Sequence, residues 1–321
     1  MYTQIMEHME NDMEQPSCPP IGDTLFTATA RERHRTRVEW CARGACLLFT
    51  LLLVIPVLAI FAALMIRAWP ALSINFLLQN PTDFMQSGGI WAPLVGTFCL
   101  VWLTLIISAP IGILAGIYLN EYAQDNWFTR IVNLAVVNLA GVPSIVHALF
   151  GFGAFVLTLG MGKSLLAASC TMSVMTLPVI ITSTRESLAA VPMPFRIACW
   201  NMGATRWQTI RTIVLPNSIS GILTGVILQV SRVAGETAPI LFTGVVFYAP
   251  VADTGWESIL PYSIDQPFMA MSMHIFTLMT QVRGVSEEIQ YAAAVTLVGM
   301  IIFTSGGAIA LRTWLRNHRK W

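Results

Sequence analysis

Six apolar runs, each long enough to cross a lipid bilayer, constrain this chain more than any other feature. They cover about residues 44–66, 90–119, 131–159, 164–184, 218–247 and 291–311. A span needs roughly 20 apolar residues at about 1.5 Å rise each to cross about 30 Å of hydrocarbon. No water reaches that depth, so every backbone N–H and C=O must be paired within the chain, and such runs fold as helices. A soluble core would break its apolar runs with polar residues more often than this. Charged residues make up 11% of the chain, against about 25% in soluble domains. The expected fold class is all-α: a polytopic membrane protein with six transmembrane helices. The second, third and fifth runs are long enough to tilt, kink or extend beyond the bilayer. Pro56, Pro110, Pro143 and Pro178 predict kinks inside spans.

The placement of positive charge orients the bundle. With the N-terminus inside, fourteen Lys and Arg fall on cytoplasmic segments and three (Arg67, Lys163, Arg283) on outer loops. Short cytoplasmic loops carry the excess of Lys and Arg, so both termini are expected in the cytoplasm. Five or seven spans would put one end on the wrong side of that count. Residues 1–43 then read as a cytoplasmic tail, partly disordered, with acids and prolines ahead of Arg31, Arg33, Arg35, Arg37 and Arg43. Residues 44–89 hold the first span and an outer loop, and 90–321 form the remaining core. The net charge of +1 gives no global field for nucleic acid. Six cysteines without a CxxC pair or clustered histidines argue against a zinc site or a disulfide framework. Metal ions and cofactors are not expected. Membrane lipid is the expected surroundings.

The fifth run contains an ion pair. Arg232 and Glu236 lie four residues apart, on one helical face with Gly221, Gly225, Gln229, Pro239 and Thr243. An arginine at the bilayer centre costs roughly 2.5–3.5 kcal/mol on insertion scales, and ionisable residues in spans usually serve function. Glu236 is the natural partner. One reading is that the pair lines a pathway, where the guanidinium fork suits an oxyanion, aided by Gln229 and Thr237. An anion about 4 Å away would gain about 4 kcal/mol per unit charge at an effective dielectric of 20. The other reading is a satisfied ion pair that fixes helix packing. Gly235 and Pro239 predict a local break beside Glu236. The small-residue pairs Gly112–Gly116 and Gly221–Gly225 allow helices to approach closely.

Residues 185–217 form a long cytoplasmic loop. Pro192 and Pro194 can open a short helix, and Gly203 can end it in a left-handed cap. Thr205 and Gln208 form a capping-box sequence that can start a second helix, which Pro216 is expected to close. Such a unit exposes Trp200, Trp207 and Ile210 beside Arg206 and Arg211. That surface suits a protein partner, and equally a lipid interface.

Two stretches then resemble a known family. Gly203, nine residues, and Ile213-Val214-Leu215-Pro216 are similar to the G-x9-I-x-LP pattern of the coupling (EAA) loop of ABC importer permeases. The E-A-A positions are Ile197, Ala198 and Cys199, a departure that removes the glutamate. Arg232-Val-Ala-Gly235-Glu236-Thr237-Ala238-Pro239, with the leucine, phenylalanine and threonine that follow, resembles the A-type (PstA-like) permeases of phosphate importers. Gly116-Ile-Tyr118-Leu119-Asn120-Glu121-Tyr122 and Pro143-Ser144-Ile145-Val146 support this.

The resemblance covers roughly residues 90–312. It implies a type I ABC importer permease fold in the cell (inner) membrane and transport of inorganic phosphate. The implied partners are a C-type sister permease, an ATPase dimer docked on residues 185–217, and an extracytoplasmic phosphate-binding protein. It assigns Ile197, Ala198, Cys199, Gly203, Trp207, Ile213, Leu215 and Pro216 to ATPase coupling. Arg232, Glu236, Gln229 and Thr237 fall to the substrate pathway. Sulfate, molybdate or phosphonate transport is the neighbouring alternative, and an autonomous anion channel or a membrane scaffold the more distant one. Gly162-Lys163-Ser164 tempts a P-loop reading, but Leu157 stands where that motif needs glycine and no strand precedes it. ATP hydrolysis is therefore expected on a separate subunit. His147, alone in its span, reads as a packing residue before a proton-sensing one. The outer loop 248–290, with Met271, Met273 and His274, is expected to hold a short helix that docks a binding protein or floats on lipid.

Overall fold

The computed structural model describes residues 30–249 and 261–317. Most of the tail, Trp256 of the outer loop and the acids Asp253 and Glu257 lie outside the described residues. The chain divides into two compact units, Met1–Phe61 and Ala62–Trp321. In the first, the described residues belong to helix α1 (Ala30–Ala68), whose Leu47, Phe49 and Leu52 side chains are exposed. A helix with apolar side chains open on its surface suits lipid or a partner helix.

The second unit opens with a short helix α2 (Ile74–Leu78) and a two-stranded hairpin, β1 (Pro81–Thr82) and β2 (Ser87–Gly88). Long helices follow: α3 (Trp91–Ile117), α6 (Leu165–Ala189), α9 (Leu215–Gly235) and α12 (Glu287–Asn317). Between them lie α4 (Trp127–Ala140), α5 (Ser144–Gly151), α7 (Met193–Asn201), α8 (Arg206–Thr209), α10 (Ala238–Thr243) and α11 (Met271–Thr280). Among the described residues, five helical stretches are long and apolar enough to span a membrane, or six if one bent pair counts as a span.

That bent pair corrects the third run. Residues 131–159 do not form one tilted or kinked helix: Trp127–Ala140 and Ser144–Thr158 meet at 107°. Gly141 ends α4, and Pro143 disfavours helical backbone at Val142 and supplies no N–H. Both effects fall in three consecutive residues, so the chain turns a corner. The start of α4 is fixed by the Asn126 side chain, which accepts from Thr129 N–H at 2.8 Å. Beside it the Arg130 guanidinium donates to both Asp125 oxygens at 2.9 and 3.0 Å. This hydrogen bonding holds the Asp125 carboxyl below the usual carboxylate range. Pro110 and Pro178 stay within their helices.

Helix α6 is the core of this unit. Of its most apolar stretch, 67% is buried. Partner helices reach it through glycine. A Cβ on Gly112 would sit 2.7 Å from Ile180 Cγ2, and one on Gly116 would sit 2.7 Å from Thr184 Cβ. Gly221 and Gly225 of α9 lie against Ser187 and Ser183, and Gly151 of α5 lies against Thr171. The small-residue pairs predicted for close approach are where two helices cross α6. Several hydroxyls on α6 donate to carbonyls one turn back, Thr171 to Ala167 at 2.8 Å and Ser187 to Ser183 at 2.6 Å, whereas the buried Ser169 and Thr184 hydroxyls find no partner among the described residues. Ser173 also bonds the Thr104 carbonyl of α3 at 3.1 Å. Apolar packing of Leu100, Met172, Val233, Ile240, Phe268 and Met273 completes the main core.

Helix α11 is the short helix expected in the outer loop. It packs inward, with Met271, Met273 and His274 buried. Extra volume at the α3–α6 crossing should be costly, because the atoms facing it are branched side chains on a packed helix. Gly112→Leu is expected to lower stability by about 1–3 kcal/mol, read as a fall in the unfolding temperature of detergent-solubilised protein, while Gly153→Ala, whose position faces open space, should leave it unchanged.

Candidate functional site

The fifth apolar run breaks where Gly235 and Pro239 predicted. Helix α9 ends at Gly235, Glu236 turns to extended backbone (φ −74°, ψ 138°), and α10 begins at Ala238. The expected span 218–247 is therefore corrected at its C-terminal end. It is also corrected at its N-terminal end. Pro216 does not close the coupling unit, because helix runs from Arg206 through a π turn (Ile210–Val214) into α9. A proline in the first turn after such a widened turn needs no N–H partner there.

At the break, Arg232 Nε donates to Glu236 Oε1 at 3.4 Å. The Arg232 side chain keeps 40% of its surface exposed and that of Glu236 22%. Among the described residues no other group bonds the guanidinium, so its two terminal nitrogens have no partner there. The Glu236 N–H bonds Arg232 C=O at 3.1 Å, and the Glu236 carbonyl accepts from Ser272 Oγ of α11 at 3.0 Å. Ser272 thus pins the broken segment, a role with no local signature among the neighbouring residues. Arg232 also lies in the last turn of α9, where the helix dipole favours a cation. Gln229, one turn earlier, is 3% exposed, and its Oε1 finds no partner among the described residues. Thr237 precedes α10 and its carbonyl accepts from Leu241 N–H at 3.1 Å. The arrangement offers a multidentate cation, moderated by one carboxylate, at a gap in a span. His147 is buried, with Nδ1 3.4 Å from the Pro143 carbonyl.

The loop 185–217 has the helix–elbow–helix form read from its sequence. Pro192 opens α7, Gly203 takes a left-handed conformation (φ 84°), and α8 starts with both capping-box bonds in place. Thr205 N–H reaches Gln208 Oε1 at 2.8 Å, and Gln208 N–H reaches Thr205 Oγ1 at 3.2 Å. Ile197 and Trp207 are exposed, as are Phe195 and Trp200. Ala198 and Cys199 lie within α7, and their carbonyls help close its last turn by accepting from Met202 N–H. Ile210, expected to be exposed beside the tryptophans, is instead buried, because it falls in the π turn that packs on the ends of α3 and α6; Ile213 belongs to the same turn, and Leu215 packs against the cluster of Ile117, Leu188, Val191, Ile210 and Val214.

An array of long apolar helices, a broken span bearing a cation and a projecting two-helix loop together define a multi-pass transport permease. The chain belongs to the binding-protein-dependent transport system inner membrane component family, whose profile matches residues 108–312. It is 34% identical over 222 residues to the phosphate transport system permease protein PstA of Mycobacterium leprae, covering 69% of each chain. It is 29% identical over 251 residues to the probable ABC transporter permease protein YqgI of Bacillus subtilis, covering 76% of this chain and 85% of that one. The fold is also that of a chain in a bacterial alginate ABC transporter, solved with a periplasmic protein bound to an alginate pentasaccharide. The TM-score there is 0.58 at 15% identity, over 88% of this chain and 94% of that one. This chain is accordingly an inner-membrane permease component of an ABC importer, a subunit that is not itself catalytic.

One charged contact escaped the sequence reading. Arg196 and Glu121 form an ion pair in which both side chains are nearly buried. Its parts were visible only as a cytoplasmic positive charge and as one letter of a family-like stretch, 75 residues apart. The capping box is the most readily tested element of the loop. Thr205→Ala removes one of its two bonds and is expected to cost about 1 kcal/mol, seen as faster protease cleavage of the loop in inside-out membrane vesicles.

Proposed function

We propose that this chain carries inorganic phosphate into the cell as one half of a two-subunit permease. A C-type sister permease is the other half, an ATPase dimer supplies the drive, and an extracytoplasmic phosphate-binding protein delivers the substrate. The observation that carries this reading is the Arg232 guanidinium at the break between α9 and α10. It is held on one side by Glu236, is partly exposed, and has no other partner among the described residues for its two terminal nitrogens. A planar fork of donors matches two oxygens of a phosphate. Glu236 keeps the site from holding the anion too tightly, so that the anion can leave as well as enter. Phosphate is favoured over sulfate, molybdate or phosphonate by the relatives named as phosphate permeases. The R-x-x-GETAP sequence around the pair points the same way.

In this reading Gln229 and Thr237 flank the passage, and the face bearing Arg232 meets the sister subunit across it. Both termini lie in the cytoplasm, following the positive charge. The tail 1–43 is then cytoplasmic, the segment after the first span is outside, and the loop 185–217 is the ATPase dock. Its exposed Phe195, Ile197, Trp200 and Trp207 are of the apolar and aromatic type that anchors interfaces. ATP-driven closure of the motor shifts this loop, and the continuous helix from Arg206 to Gly235 carries the shift toward Arg232.

Arg232→Ala is expected to cut uptake of radiolabelled phosphate by roughly tenfold or more, with normal protein level in the membrane. A charged hydrogen bond is worth about 1.5–3 kcal/mol, and about 1.4 kcal/mol is a tenfold change. Arg232→Lys keeps the charge without the fork and should fall between. Unchanged uptake in Arg232→Ala would refute the pathway role, and uptake blocked by excess sulfate or molybdate would reassign the substrate. Separately, Trp207→Ala should reduce the ATPase that co-purifies with the permease, since a buried interface tryptophan costs about 2 kcal/mol or more when truncated. Full retention would move the dock elsewhere.

A further inference from the structure

The exposed coupling loop is tied to the membrane helices by a buried ion pair that the transport reading does not use. Arg196 lies on α7, in the middle of the loop. Its Nη1 donates to both Glu121 oxygens, at 2.7 and 2.6 Å, and its Nη2 donates to the Leu188 carbonyl at the end of α6, at 2.8 Å. Asn120 Nδ2 adds a bond to Glu121 Oε1 at 2.8 Å. The two side chains keep only 10% and 9% of their surface exposed. Glu121 reaches this position because α3 ends in a π turn, Tyr118–Tyr122, closed by Ala123 N–H on the Tyr118 carbonyl at 2.9 Å. A residue in an α-helix advances about 100°, and a widened turn advances less, so the π turn changes the direction in which Glu121 leaves the helix. Near the pair, Ile117, Leu188, Val191, Ile210 and Val214 form a separate apolar cluster that joins the ends of α3 and α6 to the π turn leading into α9, without a residue of α7.

A buried ion pair is poor evidence for stability, because apolar residues of similar size often serve as well. Its attested use is to select one arrangement among several. This pair selects a fixed placement of α7 against the ends of α3 and α6. The other end of the loop is continuous helix into α9. A displaced α7 therefore does not slide freely: the pair ties it to the ends of α3 and α6, and the Gly203 elbow joins it to the helix that runs on into α9. We propose that Glu121–Arg196 is the joint that converts movement of the coupling loop into movement of the membrane helices. Glu121 and Arg196 are positioning residues and do not contact the substrate. The proposal rests on the reading of 185–217 as the ATPase dock.

The test uses the complete importer reconstituted in liposomes with its ATPase and binding protein. Three quantities are read: ATPase retained on the complex, ATP hydrolysis stimulated by the loaded binding protein, and phosphate moved per ATP. Glu121→Gln is expected to retain the ATPase and hydrolyse ATP, while phosphate moved per ATP falls about tenfold, within the usual range of coupling energies. Arg196→Lys, which keeps the charge but gives up the bond to the Leu188 carbonyl, should fall between. The double exchange Glu121→Arg with Arg196→Glu should recover part of the lost ratio. If Glu121→Gln does not accumulate in the membrane, Asn120→Ala replaces it, loosening one clamp on the carboxylate for a fall of about two- to threefold. An unchanged ratio, or an equal fall in hydrolysis and transport, overturns the joint. ATPase missing from the wild-type complex instead overturns the dock and leaves a different signature, since no ratio can then be formed.

Discussion

Helix α6 can sit at the centre of its unit because its neighbours carry glycine where they cross it. Lipid tails are as apolar as leucine, so membrane helices gain little from burying apolar surface against each other and depend on close contact instead. Gly112 and Gly116 of α3, Gly221 and Gly225 of α9, and Gly151 of α5 each meet a side chain of α6. Several serines and threonines of α6, among them Thr171, Ser173 and Ser187, bond their own backbone, while the buried Ser169 and Thr184 hydroxyls find no partner among the described residues. All are small enough to enter those contacts. The remaining features of the unit hang on this crossing. It fixes the end of α6, whose Leu188 carbonyl receives Arg196, and it fixes α9, which carries Arg232.

Two kinds of interruption, one break and two π turns, set this permease apart from a plain packed bundle. A continuous helix would satisfy the backbone near Arg232 and leave nothing to bend. The break at Glu236 and Thr237 opens the helix beside the charged pair, and Ser272 holds the opened segment by its carbonyl. Two π turns, at Tyr118–Tyr122 and Ile210–Val214, lie on the chain segments that flank the coupling loop in space. Wide turns of this kind often mark functional positions because they re-aim side chains without ending the helix. Here one aims Glu121, and the other lets Pro216 follow in an unbroken helix.

The charges divide into an open set and a closed set. Arg232 and Glu236 keep part of their surface exposed and share one long contact. Arg196 and Glu121 are nearly buried and share short bonds, with further bonds to Leu188 and Asn120. Geometry alone separates a pair that can accept a third charged group from a pair whose valences are spent. Such a difference in environment decides the work a pair of charges can do.

The sequence by itself determined that the chain is helical and membrane-spanning, that its fifth apolar run breaks near Glu236, and that its loop has a glycine elbow and a capping box. These are local matters. Span length, helix breakers and caps act within a few residues, and the chemistry of Gly203, Thr205, Gly235 and Pro239 is readable one residue at a time. Tertiary structure alone decided that helix continues past Pro216, that Ser272 grips the break, and that Glu121 meets Arg196. Each of these depends on which elements come to lie side by side, or on a backbone widened to suit its neighbours. A proline kinks or passes according to the turn before it, and a carboxylate finds its arginine across 75 residues only once α3, α6 and α7 have packed.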